Sequence, residues 1–297
     1  MENIPFISII VPVYNGESII DECINSLLNL NYPINKYELI IVDNNSKDNT
    51  SHIISKYPVK YALETKKGSY AARNKGIKLA EGEILLFTDS DCIADKDWII
   101  NIIKPFRDSR VGAVGGKTIT YNPTTIVEKY LESISALDNE SSIKSKRPSI
   151  ATANAAFRKN ILGQVGFFDE TFTSGGDYDI SWRIHNLGYI LAYEHNSIIF
   201  HKHGTDFKSL FNKEFRYGCG NVQLFKKHFD KNRFRLGGYV QILYTLLIQI
   251  PFRFLSVILR KRDKMMHIAV PFCILIRNIG YKSGMIYGCI KYKTIYL

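Results

Sequence analysis

The alternation of short apolar runs with helix-like segments is the feature that most limits how the first two hundred residues can fold. Four runs have the composition of buried strands: Phe6–Val13, Tyr37–Val42, Val59–Leu63 and Glu83–Thr88. Between these runs, apolar residues recur at helical spacing in Ser18–Leu30, Ser46–Lys56 and Ser69–Ala80. Strands that alternate with helices in this way form βαβ units with right-handed crossovers. The pattern therefore predicts an α/β domain whose central sheet is mainly parallel and flanked by helices.

Beyond residue 110 the pattern is looser but still predicts secondary structure. We expect strands at Val111–Ile119, Ile190–Tyr193 and Ile198–Phe200, and helices at Ile126–Leu137 and Asp177–Leu187. The polar, basic stretch Ser141–Pro148 has the composition of a surface loop. These elements extend the predicted α/β domain over residues 1–205, and residues 206–297 form a separate helical, basic region.

The balance of basic and acidic residues changes at nearly the same place in the chain. Residues 1–200 hold 21 basic and 24 acidic side chains, whereas residues 201–297 hold 18 basic and four acidic ones, a formal charge of +14. Such asymmetry indicates a region that meets an anionic partner. Nucleic-acid binding would call for a compact basic motif in polar surroundings, but here the basic residues flank apolar stretches. We therefore expect a lipid surface and no nucleic acid.

Two apolar stretches in the basic region are poor membrane spans. Tyr239–Leu259 is interrupted by Pro251 and Arg253, and Met265–Ile279 falls short of the roughly 20 residues that a span requires. We expect helices that lie in the membrane surface, with Arg260–Lys264 on anionic headgroups. Helices packed against the rest of the protein and a short two-pass hairpin are the alternatives. Five scattered cysteines and no evident secretory signal favour the reducing cytoplasm, at the cytoplasmic face of the cell membrane.

Polar clusters follow three of the predicted strands: Tyr14-Asn15, Asp43–Ser46 and Asp89-Ser90-Asp91. Ligands of parallel sheets bind at the carboxyl ends of the strands, so these clusters mark the candidate site. The first strand is not followed by G-x-G-x-x-G, which disfavours hydride chemistry. The two carboxylates of the D-x-D motif suit a hard divalent cation, Mn²⁺ or Mg²⁺, that also contacts substrate phosphates. A solvated acidic turn is the alternative.

An ordered set of motifs over residues 6–203 resembles the family 2 glycosyltransferases, which are inverting enzymes with the GT-A fold. Ser8–Asn15 is similar to the opening strand of that family, and Val42–Thr50 to its VDDGSTDGT stretch, with Asn44 and Asn45 in place of Asp and Gly. The remaining matches are Gly68–Gly76, Leu86–Asp91, Gly166–Glu170 and Gly175–Arg183. Each motif is weak alone, but together, in this order and at this spacing, they are specific.

The resemblance implies a UDP- or GDP-sugar donor and a set of binding residues. The donor-binding residues would be Pro12, Tyr14, Asn15, Asp43, Arg73, Asp89 and Ser90. Asp89 and Asp91 would hold the divalent cation together with a histidine, either His201 or His203. The alternatives are a surface-turn role for Asp43, a structural ion pair for Arg73, and exposed histidines in a basic turn.

Inversion requires a base that removes the proton of the acceptor hydroxyl. The resemblance makes Asp177 that base, at the start of a helix and preceded by Gly176 where many family members have Glu. A helix N-terminus favours the ionised carboxylate and lowers its basicity. Asp179 is the second candidate base, and an N-cap role for Asp177 is the alternative. Tyr178 and Trp182 are candidates for the acceptor groove, although we expect Trp182 in the core.

The predicted function is therefore an inverting, metal-dependent glycosyltransferase that acts at a membrane surface on a lipid-linked or cell-surface glycan acceptor. The alternative is a non-enzymatic basic protein that binds membranes or nucleic acid and retains a nucleotide-binding fold.

Overall fold

The computed structural model describes residues 4–229, 243–252 and 264–296. The chain divides into two compact units. The first comprises residues 1–121 and 135–202, and the second comprises residues 122–134 and 203–297. The two-domain division at residue 205 stays a prediction of the sequence.

One sheet organises the first unit. Its strands are β1 (Ile7–Val13), β2 (Tyr37–Asp43), β3 (Lys60–Leu63), β4 (Ile84–Phe87), β5 (Cys92–Ala94), β6 (Val111–Thr120), β7 (Ala155–Arg158) and β8 (Ile190–His201). Their order across the described part of the sheet is β3-β2-β1-β4-β7-β6-β8-β5. β1 pairs in parallel with β2 and β4, β2 with β3, and β6 with β8, whereas β7 and β5 pair antiparallel with their neighbours. The prediction of an α/β fold with a mainly parallel sheet is confirmed.

Helices follow the strands along the chain. They are α1 (Ile20–Leu28), α2 (Thr50–Ile54), α3 (Ser69–Leu79), α4 (Trp98–Ile102), α5 (Ile126–Ser133), α6 (Asn139–Ile143), α7 (Lys159–Val165), α8 (Gly176–Asn186), α9 (Phe207–His228) and α10 (Lys264–Tyr292). All seven residues of β1 are buried, which explains its nearly continuous apolar sequence. α1 packs Ile20, Ile24 and Leu27 into the same core through one apolar face.

Several elements differ from the sequence prediction for identifiable reasons. β8 is one strand where two were expected, because it continues past an irregularity in its pairing with β6. α5 ends at Ser133 rather than at Leu137, because Ser135 and Leu137 adopt left-handed backbone conformations that no helix accommodates. α6 ends inside the segment predicted to be a loop, so only residues 141–143 of Ser141–Pro148 are helical. Four further elements were not predicted, because their sequences lack a clear helical or strand periodicity: β5, β7, α4 and α7.

In the second unit, α9 and α10 pack closely through glycines. A Cβ at Gly218 would overlap the carbonyl oxygen of Tyr281, and one at Gly284 would overlap that of Phe215. The Arg277 guanidinium pairs with the buried Glu214 carboxylate at 3.2 Å between these helices. Within the described residues, no helix has the length and hydropathy needed to cross a membrane. The predicted headgroup contacts of residues 260–263 lie outside the described residues.

Candidate active site

The loops that follow β1 and β2 are tied together by side-chain hydrogen bonds. The Asn15 backbone N–H donates to Ser46 Oγ at 2.9 Å, and its side-chain Oδ1 accepts from the Lys47 N–H at 2.8 Å. Asn15 has a positive φ, which asparagine tolerates better than most residues. Pro12 lies inside β1, and Tyr14 is exposed beside the loop. The predicted donor-binding residues of these two strands therefore share one rim at the carboxyl edge of the sheet.

Asp43 is buried at the end of β2. Its carboxylate accepts hydrogen bonds from the Ser46 N–H at 2.9 Å and from the Tyr61 hydroxyl at 3.2 Å. This burial rules out the exposed turn aspartate that was the alternative. Asn44 fixes the neighbouring segment, because its amide donates to the Glu64 and Lys66 carbonyls and accepts from the Gly68 N–H.

The two asparagines that depart from the family motif fit their positions. Asn44 uses both the donor and the acceptor capacity of its amide, which an ionised aspartate lacks. Asn45 has a φ of 62°, in the left-handed region that the glycine of the family motif enters freely. The substitutions therefore preserve the loop.

Arg73 and Asp89 form an ion pair at the carboxyl edge of the sheet. Arg73 Nη2 lies 2.5 Å from Asp89 Oδ1, and the guanidinium lies 5.5 Å from the centre of the Tyr70 ring. The ion pair that was the alternative for Arg73 is therefore present. Arg73 is only 4% exposed, yet its buried Nε has no hydrogen-bond partner among the described residues. A buried N–H without a partner is costly, so it leaves a donor available for an anionic ligand.

Asp91, Cys92 and His201 form a cluster that suits a metal ion. Antiparallel pairing of β5 with β8 sets Cys92 opposite His201, and Asp91 Oδ1 then lies 3.5 Å from His201 Nε2. One donor atom from each of the three side chains lies within 4.8 Å of the others. Burial raises the pKa of the Asp91 carboxyl, and the neighbouring His201 opposes this rise.

The donor set fits a hard divalent cation through two of these three side chains. A carboxylate oxygen and an imidazole nitrogen both bind Mn²⁺ and Mg²⁺ readily. Cys92 is the poorer match, because a soft sulfur ligand does not suit a hard cation and burial raises the pKa of its thiol well above the usual value. Ser90 and Asp89 lie beside the cluster, half-buried. His203 belongs to the second unit, where it is buried, and its role as a ligand stays a prediction.

Asp177 lies in the first turn of α8 and is held by Tyr70. The Tyr70 hydroxyl donates to Asp177 Oδ1 at 3.3 Å and accepts the Gly176 N–H at 2.9 Å. Loss of solvent around the carboxyl raises the pKa of Asp177, although Arg73 and backbone hydrogen bonds pull it down. Desolvation of the carboxyl thus opposes the helix N-terminus, which was expected to make this group less basic.

Gly176 is required by the same tyrosine. A Cβ at this position would lie 2.8 Å from the Tyr70 ring, so the glutamate found in many family members would not fit here. Tyr70 also stacks on Phe168 at 5.7 Å, and Asn74 exchanges hydrogen bonds with the Phe168 backbone. Tyr70 was not among the predicted site residues, although it lies inside the Gly68–Gly76 motif, three residues before Arg73.

The other candidates of α8 have different environments. The Asp179 carboxylate is fully buried and pairs with Arg183 at 2.8 Å, which makes it a structural group and not a second base. Tyr178 is exposed, as expected of a groove residue. Trp182 is half-buried rather than in the core, and the Arg147 guanidinium lies 5.4 Å from the centre of its ring.

Comparisons with known proteins agree with this site. Residues 8–166 match the model of the glycosyl transferase family 2. The chain is 36% identical to the glycosyltransferase AglE of Haloferax volcanii over 229 residues, which cover 74% of each protein. It is 26% identical to the poly-beta-1,6-N-acetyl-D-glucosamine synthase of Staphylococcus epidermidis, of which it covers 56%.

Solved structures share the fold. The mannosyltransferase PcManGT of Pyrobaculum calidifontis, solved with GDP-Man and Mn²⁺, superposes with a TM-score of 0.63 at 20% identity, over all of this chain and 77% of that one. Residues 1–349 of TarS from S. aureus, solved with UDP-GlcNAc, give a TM-score of 0.56 at 16% identity, over 98% of this chain and 93% of that one. The fold is GT-A.

Proposed function

Because this chain belongs to glycosyl transferase family 2 and is thus a glycosyltransferase, we propose that it uses a nucleotide sugar and a divalent cation to glycosylate a lipid-linked or cell-surface glycan with inversion. Membership of an enzyme family decides against the non-enzymatic alternative. The observation that carries the proposal is the position of Tyr70, which contacts the Arg73–Asp89 pair on one side and Asp177 on the other. Donor-side and acceptor-side groups are thereby held together at one sheet edge.

Asp177 is the base of the proposed reaction. Its carboxylate takes the proton of an acceptor hydroxyl as that oxygen forms a bond to the anomeric carbon of the donor sugar. The bond from that carbon to the diphosphate breaks at the same time, and the nucleoside diphosphate leaves from the opposite face. The raised pKa of Asp177 makes the carboxylate a stronger base than an exposed aspartate.

Binding of the donor is assigned to the rim. Asp43 would contact the base or ribose, and the Arg73 guanidinium would meet the nucleotide, to which its Nε can donate. Asp91 and His201 would hold the cation, with Asp89 shared between the ribose and the metal shell. When bound, the cation neutralises charge that develops on the leaving diphosphate.

The choice of donor is between the two nucleotide classes of the structural relatives. PcManGT was solved with GDP-Man and TarS with UDP-GlcNAc, so both donors belong in the first screen. We expect release of the nucleoside diphosphate from one of them when Mn²⁺ or Mg²⁺ is present, and none after EDTA treatment. Unchanged turnover in EDTA would reject the cation, and turnover of no nucleotide sugar under any condition would reject the donor class.

Membrane association belongs to the same proposal and rests on the second unit. The segment 243–252 exposes Leu247 and Phe252, which are 72% and 70% accessible, in the region of the chain that carries the +14 charge. Exposed apolar side chains beside cationic ones are typical of surfaces that insert into anionic bilayers.

Vesicle co-sedimentation tests this surface. We expect binding to phosphatidylcholine vesicles that contain phosphatidylglycerol, with high salt releasing a minority of the protein and detergent nearly all of it. The paired substitution Leu247→Glu and Phe252→Glu should abolish binding, whereas Ile34→Glu, at an equally exposed site of the first unit, should not. Equal binding by all three proteins would reject the membrane surface.

A further inference from the structure

Asn74, Phe168 and Glu170 lie in two of the motifs found in the sequence, but the proposed reaction gives them no role. Asn74 is on α3, and the other two follow α7. The Asn74 side chain accepts the Phe168 N–H at 3.0 Å and donates to the Phe168 carbonyl and to Glu170 Oε1, both at 2.8 Å. Its amide therefore holds the Phe168 backbone through both of its polar groups. We call these three residues the Asn74 clamp.

The Phe168 ring lies between the strand that leads to the D-x-D motif and the tyrosine that holds the base. It is only 3% exposed. It stacks on the Tyr70 ring at 5.7 Å and meets the Phe87 ring edge-on at 5.5 Å, measured between ring centres. Phe87 is the last residue of β4, two positions before Asp89. Because protein interiors are closely packed, a displaced Phe168 ring would also displace Tyr70, whose hydroxyl contacts Asp177.

The backbone beside Phe168 depends on contacts from two helices. Phe167 has a φ of 61°, in the left-handed region that costs free energy in most residues other than glycine. Such a conformation persists only where the surrounding contacts impose it. The Arg183 guanidinium on α8 donates to the Phe167 carbonyl at 2.6 Å, and Asn74 on α3 holds the next residue. Without the Asn74 amide, the Phe168 backbone would lose its hydrogen bonds to α3.

The Glu170 end of the clamp contributes less. Its carboxylate pairs with Lys66 at 2.6 Å and accepts from Asn74, and these two contacts lower the pKa of the Glu170 carboxyl. The Lys66 side chain is 63% exposed, so water and salt screen this ion pair. Asn74 is only 6% exposed, and a buried polar group that loses its partners is costly. The clamp therefore depends mainly on Asn74.

We propose that Asn74 is a positioning residue for the base, because it keeps the Phe168 ring against Tyr70 and thereby keeps the Tyr70 hydroxyl on Asp177. This role rests on the proposed function, since it needs Asp177 to be the base. Asn74 acts through two other side chains, so it is not a catalytic residue. The alternative is that Asn74 only stabilises the fold, in which case its loss would lower the unfolding temperature without changing the titration of Asp177.

Loss of the clamp should make Asp177 a weaker acid. The Tyr70 hydroxyl stabilises the ionised carboxylate, so its displacement should raise the pKa of Asp177. Because the base works only when it is ionised, the acidic limb of the kcat profile should then move to higher pH. Asn74→Ala leaves in place the other titratable groups that act on Asp177, which are Arg73, Asp89 and Tyr178.

Double variants test whether Asn74 acts through Tyr70. Release of nucleoside diphosphate by the full chain is measured with Mn²⁺ and either GDP-Man or UDP-GlcNAc, whichever is turned over. Asn74→Ala and Phe168→Leu should each move the acidic limb to higher pH and lower kcat by about tenfold or less, with KM for the donor within about twofold of the wild type. Neither substitution should move the limb further in a Tyr70→Phe background, because both act through the Tyr70 hydroxyl.

Asn101→Ala is the matched control. It also removes a side-chain amide that donates to a distant backbone carbonyl, that of Asn196 at 2.9 Å, and it should leave the limb unchanged. Phe168→Leu keeps the Asn74 hydrogen bonds to the backbone of residue 168, so it decides the question alone if Asn74→Ala does not fold.

The results distinguish a positioning role from a structural one. Limb shifts that disappear in the Tyr70→Phe background support the positioning role. Shifts that add to that of Tyr70→Phe, or a lower unfolding temperature with an unshifted limb, overturn it and leave the proposed function intact. If the wild type turns over no nucleotide sugar, the proposed function fails and the positioning role fails with it.

Discussion

The two units of this chain differ in the side chains that bear on the proposed function. The first unit buries polar groups and gives them specific partners, as in Asp43 with Ser46 and Asp179 with Arg183. The second unit exposes apolar groups such as Leu247, Phe252 and Ile290. Buried hydrogen bonds and ion pairs hold individual atoms at defined positions. Exposed apolar side chains provide surface area that can be buried against a partner without a defined geometry. This difference fits the proposed function, in which catalysis belongs to the first unit and attachment to a membrane surface belongs to the second.

Asp91→Asn should have the largest effect. An amide is a neutral and weaker ligand for a hard cation, so we expect turnover to fall by about a thousandfold with the fold intact. Mn²⁺ titration of turnover and of the thermal shift measures the change. Glu83→Gln, at an exposed carboxylate of the same unit, should be nearly silent. Near-wild-type turnover of Asp91→Asn in dilute Mn²⁺ would remove Asp91 from the metal site.

Asp177→Asn should reduce turnover by about a hundredfold to ten-thousandfold, because an amide cannot accept the acceptor proton. Donor affinity should stay close to that of the wild type, since the base contacts the acceptor and not the diphosphate. Donor binding by calorimetry and turnover at saturating donor separate these quantities. A parallel loss of donor affinity would make Asp177 part of the donor site.

Gly284→Val tests the second unit by stability instead of activity. Its side chain would overlap the Phe215 carbonyl oxygen, so we expect a loss of about 1–3 kcal/mol in the free energy of unfolding. Donor binding below the unfolding temperature should be unchanged. Gly163→Ala in α7, where a Cβ meets no atom within 4 Å, should be neutral or stabilising. Equal free energies of unfolding for the two variants would contradict the close packing of α9 on α10.

Tyr70→Phe should give the smallest effect and the most specific one. It removes a hydrogen bond that stabilises the Asp177 carboxylate but keeps the ring against Phe168. The pKa of Asp177 should rise further, so the acidic limb of the kcat profile moves to higher pH, and kcat falls by about tenfold or less. The control is Tyr57→Phe, which also removes a tyrosine hydroxyl that donates to an aspartate, in this case Asp21. An unshifted limb would exclude Tyr70 as a positioning residue.

The pH dependence of the wild-type protein should have a definite direction. The base is active only when ionised, so turnover is lost as the pH falls through the pKa of Asp177. Because burial raises that pKa, the loss should begin at higher pH than for an exposed aspartate.

Local sequence determined a large part of the first unit. The apolar runs at Ile7–Val13 and Tyr37–Asp43 fixed the parallel centre of the sheet, and the polar residues after them could only meet at its carboxyl edge. These inferences succeed because a buried parallel strand needs a continuous apolar sequence. β5 and β7 were not predicted, because Cys-Ile-Ala and Ala-Ala-Phe-Arg lack the run of large apolar residues that marks the equally short β4.

The sequence by itself thus determined the α/β fold, the family, the charge division and the identity of Asp89, Asp91 and Asp177 as candidate site residues. Tertiary structure alone decided which groups touch. Pairing of β5 with β8 brings Cys92 and His201 to Asp91, and Tyr70 joins Arg73 to Asp177. It also decided the direction in which the pKa of Asp177 moves, since desolvation depends on every neighbour that excludes water. Contacts between residues distant in sequence leave no local pattern, so only the folded chain reveals them.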